Sequence, residues 1–77
     1  MDNKKVAEFM LDEIIKSGYI YQESIVYDIQ TKFGSDFVYE NENGNLAISK
    51  KVLNEFKKLK DVNGIEWDRS DKSWVKN

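Results

Sequence analysis

Two tryptophans, Trp67 and Trp74, stand in the stretch Ile65-Glu66-Trp67-Asp68-Arg69-Ser70-Asp71-Lys72-Ser73-Trp74-Val75-Lys76. Apolar and polar residues alternate on either side of a polar centre, which predicts a β-hairpin at the end of a chain whose other periodic segments read as helices. A two-residue turn at Ser70-Asp71 sets Trp67 opposite Trp74, and a four-residue loop from Arg69 to Lys72 gives the same pairing, because successive side chains alternate between faces. Ile65 then falls on the tryptophan face. A two-stranded ribbon is marginal on its own in water, so its aromatic face is expected to cover the open side of a helical body.

The helices are legible from their spacing. Between Lys4 and Ser17, residues Val6, Ala7, Phe9, Met10, Leu11, Ile14 and Ile15 share one broad arc at helical periodicity, with Asp2 or Asn3 to cap the start and Gly18 to end it. Tyr19-Ile20-Tyr21 has the composition of a short strand and could pair as an edge with the terminal hairpin. Gln22 to Phe33 predicts a second helix, with Ile25, Ile29 and Phe33 at steps of four and a stop at Gly34. From Phe37 to Ile48 the pattern reads mainly as turn and loop, with Asn43-Gly44 as a turn signal and a small hairpin setting Tyr39 opposite Ile48 as the variant. Ser49 then caps a third helix ending near Lys60, whose inward stripe is Val52, Leu53, Phe56 and Leu59. The expected core is Val6, Phe9, Met10, Ile14, Ile25, Ile29, Phe33, Val52, Leu53, Phe56, Leu59, Ile65, Trp67 and Trp74.

Seventy-seven residues make a single domain, taken as 1–77, with little surface to bury and a thin stability margin. The chain has neither cysteine nor histidine, so thiolate or Ser-His catalysis and the common zinc sites are excluded. No cofactor is expected, and no nucleophile with an activating base can be assembled, which argues against an enzyme. Apolar runs reach only three residues, as in Phe9-Met10-Leu11, far short of the roughly 20 needed to span a membrane. The start does not read as a secretory signal either, so a cytoplasmic protein is expected. Oxygen-bearing residues around Gly44 suggest a calcium loop, but counting from Gly44 as sixth position puts Tyr39 first and Lys50 twelfth, where acids are required.

Charge is distributed unevenly. The third helix carries Lys50, Lys51, Lys57, Lys58 and Lys60 against Glu55 alone, which leaves seven basic and thirteen acidic side chains in the rest of the chain. Lys50, Lys51, Lys57 and Lys58 cluster with Asn54 on the face opposite the apolar stripe. As the second helix of a helix-turn-helix pair it would enter the major groove of duplex DNA, with lysines on phosphates and Asn54 able to pair an adenine edge. Arg69 and Lys72 at the hairpin tip would meet the flanking backbone. The plainer reading is an exposed lysine face that solvates its helix, and the lack of arginine there weakens base-specific readout.

Tyr19, Tyr21, Tyr27 and Tyr39 make a second candidate surface. They could be partly buried core with hydroxyls in water, a protein-docking patch, for which Tyr19, Tyr21 and Tyr39 are the contacts to consider, or a platform for stacking bases.

The segments Val6-Ala7-Glu8-Phe9-Met10, Gly18-Tyr19-Ile20-Tyr21-Gln22 and Asn43-Gly44-Asn45-Leu46-Ala47-Ile48-Ser49-Lys50-Lys51-Val52-Leu53, with Trp67 and Trp74, resemble a family of small uncharacterised proteins of Bacillus-type bacteria and their prophages. The likeness covers nearly the whole chain. It implies a compact bacterial domain and assigns no activity or functional residue. The predicted fold is α+β, three helices with a C-terminal β-hairpin, similar in element order to a winged helix. The expected function is a non-catalytic binding module for duplex DNA or, alternatively, a protein-interaction module or phage accessory protein.

Overall fold

Caps at both ends set the bounds of the helices. In the computed structural model, which describes residues 2–76, α1 spans Asn3–Ser17 and begins where the Asp2 carboxylate accepts from the Lys5 amide at 2.8 Å. It ends where Gly18 takes a left-handed φ of 84° and donates its amide to the Ile14 carbonyl. No atom crowds a Cβ at that position, so Gly18→Ala is expected to cost only the backbone strain, about 1–2 kcal/mol, read as a lower urea midpoint with an unchanged slope.

After Gly18 the chain runs as β1 (Tyr19–Tyr21) straight into α2 (Gln22–Phe33), then through a short 3-10 turn (Ser35–Phe37) to β2 (Val38–Glu40) and β3 (Leu46–Ile48). Helix α3 (Lys50–Val62) and the strands β4 (Ile65–Asp68) and β5 (Ser73–Lys76) complete the order. Ser49 caps α3, its hydroxyl accepting from the Lys51 amide at 3.3 Å. The expected α+β fold with a terminal hairpin is therefore present.

Three strands form one sheet in the order β1-β5-β4, all antiparallel. The hairpin register is the expected one, Trp67 opposite Trp74, closed by residues 69–72 as a four-residue loop. Ile20, Trp74 and Trp67 form one transverse row, and this row faces the helices, since the Trp74 ring meets Phe56 of α3 edge-on at 5.4 Å. Tyr19, Val75 and Glu66 form the next row, and Tyr21, Ser73 and Asp68 another; both occupy the opposite face of the sheet. The Lys76 amide donates to the Gly18 carbonyl and the Gln22 amide to the Lys72 carbonyl. Even-numbered residues of β5 thus serve β1, odd-numbered ones serve β4, and the backbone groups of Ile65 and Trp67 point outward along a free edge.

Four expectations need correction. Trp67 was expected in the core, but it is 38% exposed, whereas Trp74 is 6% exposed; β5 is central and β4 is an edge, so only the central ring is covered on all sides. The segment after α2 is a hairpin and not mainly loop, and Tyr39 pairs with Ala47 while Val38 pairs with Ile48. The alternative of Tyr39 opposite Ile48 is one residue out. That slip would put the tyrosine and the isoleucine on one face, whereas the observed register buries Val38 and Ile48 together and turns Tyr39 outward. Helix α3 continues past Lys60 to Val62. Finally, α2 and α3 are not joined by a tight turn: residues 34–49 carry the 3-10 turn and the hairpin, and α3 packs chiefly on α1 and hardly touches α2.

The core is built from Val6, Ala7, Met10 and Ile14 of α1, Ile25, Val26 and Ile29 of α2, Val52 and Phe56 of α3, and Val38, Ile48, Ile65 and Trp74 of the strands. Phe9, Phe33, Leu53 and Leu59 flank it, half-buried. Phe9, Phe33 and Phe37 form an edge-on aromatic chain, with centroids 5.4 Å and 6.3 Å apart, that ties α1 and α2 to the 3-10 turn.

Candidate functional site

Helical spacing sends Val52, Phe56 and Leu59 of α3 inward, and the same spacing sends Lys50, Lys51, Asn54, Lys57 and Lys58 outward, where all five are exposed. The two residues beyond Lys60 add Asp61 and Val62 to the C-terminal end of this face, both exposed. Lys58 is paired with Glu55 one turn back at 3.3 Å; among the described residues, Lys50, Lys51 and Lys57 enter no ion pair. Lys50 and Lys51 occupy the first turn, which contains no acid. Cations there oppose the positive end of the helix dipole and cost about 0.3–1 kcal/mol each when unpaired.

The tyrosines are all surface residues, between 42% and 56% exposed. Tyr19 and Tyr21 share the outer face of the three-stranded sheet, their rings edge-on at 5.5 Å. Tyr39 lies on the other hairpin, on the side shared with Ala47. The three expected docking tyrosines thus sit on two separate sheets.

A cleft of about 540 Å³ brings together parts of the chain that are remote in sequence. Its walls are the start of α2, from Tyr21 to Tyr27, the β2–β3 loop at Asn41 and Asn45, and the β4–β5 loop at Asp71 and Lys72; Val26, Leu46 and Ala47 contribute its apolar lining. Lys72, read from sequence as a companion of the α3 lysines, lines this cleft beside Tyr21. Arg69 is exposed at the start of the same loop. A smaller depression of about 250 Å³ lies between Glu13, Tyr19 and Asp28, so the tyrosine side of the molecule is flanked by acids.

Hydrogen bonds fix each wall of the larger cleft. The Gln22 amide donates to the Lys72 carbonyl at 2.9 Å, which docks the hairpin tip on the α2 start. The Asn41 carboxamide oxygen accepts from the Asn43 and Asn45 amides at 2.9 Å and 3.0 Å, and Gly44 completes that turn with φ 78°. The Asp68 carboxylate accepts from Ser70 and Asp71 at 3.0 Å and 3.2 Å. Gln22, Tyr27, Asn41, Asn45 and Asp71 carry no local sequence signal for such a site; only the β1–β5 pairing and the β2–β3 hairpin bring them together. Among the described residues no acidic cluster is arranged to hold a metal ion.

Three helices on a three-stranded sheet, with a second hairpin inserted before the last helix, define a small α+β domain. The chain belongs to the family of unknown function DUF6953, whose model matches residues 2–76. No curated protein and no solved structure is detectably similar to it.

Proposed function

We propose that this domain is a non-catalytic binding module that holds duplex DNA by its phosphates through the lysine face of α3. The observation that carries the reading is the position of Lys50 and Lys51, which pair with no acid among the described residues and stand in the first turn of a helix that has no acid there. Folding alone would favour acids at that end, whereas a phosphate ligand is attracted both by the lysines and by the helix start. The element order is similar to that of a winged helix, and Asn54 is the one exposed side chain of the ridge able to pair an adenine edge. With no arginine in α3, binding is expected to be largely indifferent to sequence.

The test is the salt dependence of binding to a short duplex. Three unpaired lysines on phosphates give a slope of log affinity against log salt of roughly −2.7, and roughly −3.6 if Lys58 leaves Glu55 to make a fourth contact. A flat salt dependence, or no retention of duplex at low salt, rejects the reading. A bacterial cytoplasmic setting, with use by a prophage as an accessory protein, belongs to the same proposal. That setting rests on the resemblance of the sequence to small Bacillus-type and prophage proteins.

A second reading, protein docking, is favoured by the exposure of Tyr19, Tyr21 and Tyr39, since tyrosine is enriched where proteins meet. None of these tyrosines belongs to α3, so the two readings are separable by mutation.

A further inference from the structure

We propose that the cleft between the start of α2, the β2–β3 loop and the β4–β5 loop takes an extended peptide segment of a protein partner and selects it by a cationic side chain. This deepens the docking reading above and uses no residue of α3.

The volume of about 540 Å³ is in the range of sites that bury a drug-sized ligand, enough for the central side chain of a peptide and its immediate neighbours. Its chemistry is that of a peptide site. Gln22 and Asn45 each present a carboxamide, donor and acceptor together, which suits the alternating N–H and C=O of an extended chain. Neither carboxamide is engaged in a hydrogen bond among the described residues, whereas that of Asn41 is committed to its own turn. Tyr21 and Tyr27 offer half-exposed rings at the α2 wall, above the apolar lining at Val26 and Ala47.

Charge selects the occupant. Glu23 and Asp71 line the cleft with Lys72 as the only cation, and neither acid enters an ion pair among the described residues. A phosphate chain entering here would meet two carboxylates, and an acidic peptide likewise, whereas an arginine or lysine side chain would find both. The tyrosines also offer stacking to a nucleobase, but the backbone such a base brings with it carries the wrong charge. The walls are already bonded in place, through Gln22 to Lys72 and within both loops, so the protein loses little conformational freedom when a peptide settles between them.

The probes are two nonapeptide pools, randomised except for a central arginine in one and a central glutamate in the other, and an oligothymidylate. Each is titrated into the isotope-labelled full chain while backbone amide shifts are followed. The arginine pool is expected to move the amides of Glu23, Asn45, Ala47 and Asp71, with the glutamate pool at least about tenfold weaker. The double variant Glu23→Gln, Asp71→Asn should lose about tenfold in affinity for the arginine pool, with unchanged DNA retention and only a small drop in thermal midpoint, because Glu23 stands in the first turn of α2. Tyr27→Ala, which alters an exposed ring only, should weaken the same response. Equal responses to both pools, or none, overturn the proposal, as does an oligothymidylate that moves the same amides. Shifts confined to the outer sheet face at Tyr19 and Val75 overturn the cleft while leaving protein docking in place.

Discussion

Phe56→Ala is expected to lower stability by about 3–5 kcal/mol, more than any surface substitution in this domain. Phe56 is 2% exposed and its ring meets that of Trp74 edge-on, so truncation opens a cavity where α3 and the central strand come together. A domain of this length has roughly 4–12 kcal/mol to lose, so the substitution removes between about a quarter and all of that margin. Trp74→Ala should cost a similar amount. Trp67→Ala should cost less, because its ring meets that of Trp74 at 4.7 Å with the planes tilted by 53° but is 38% exposed, so less apolar surface returns to water when it is removed. Urea unfolding of the three variants gives the ranking directly. If Trp67→Ala proves as costly as Trp74→Ala, the account of a covered central ring and a half-open edge ring is wrong.

The second large effect separates binding from folding. The double reversal Lys50→Glu, Lys57→Glu should weaken duplex binding about 60-fold at 0.1 M salt, since each phosphate contact contributes roughly a factor of eight there. The salt slope should fall by about two. Stability should move the other way. A glutamate at position 50 favours the α3 start where a lysine opposes it, so the thermal midpoint should hold or rise by the equivalent of about 0.3–1 kcal/mol. A variant that binds as wild type, or that loses binding only because it unfolds, removes the lysine face as the DNA contact. Measuring Lys58→Glu separately shows whether its pairing with Glu55 keeps it out of the contact set.

The parts of this fold that were legible in the sequence are those fixed by neighbours along the chain. The caps at Asp2 and Ser49, the stops at Gly18 and Gly34 and the Trp67–Trp74 register depend on spacing within a few residues. Side-chain periodicity also marked the outward face of α3. The β2–β3 register depended instead on what lies beneath it: Tyr39 opposite Ala47 is chosen because Val38 and Ile48 have core to cover, a long-range fact that a three-residue strand cannot announce. The separation of α2 from α3 follows from that hairpin, and so was not foreseen either. Trp67 illustrates the same limit: its face was deduced correctly, but its burial depends on strand order, which set β4 at the edge. The lysine ridge could be found because it lies on one element. The cleft could not, because its walls come from three segments that meet only after the sheet has formed.

An open strand edge invites further strands, and the outward backbone groups of Ile65 and Trp67 are such an edge. A second copy could extend the sheet there, back to back in sequence, with both helical layers on one side. Residues that oppose each other must then point the same way, and the two registers that overlap three strand residues set Glu66 against Glu66 or Glu66 against Asp68. Either pairing brings like charges within a few ångströms. The ribbon that completes the core thus carries its own deterrent to polymerisation, written in the two carboxylates that alternate with its apolar residues.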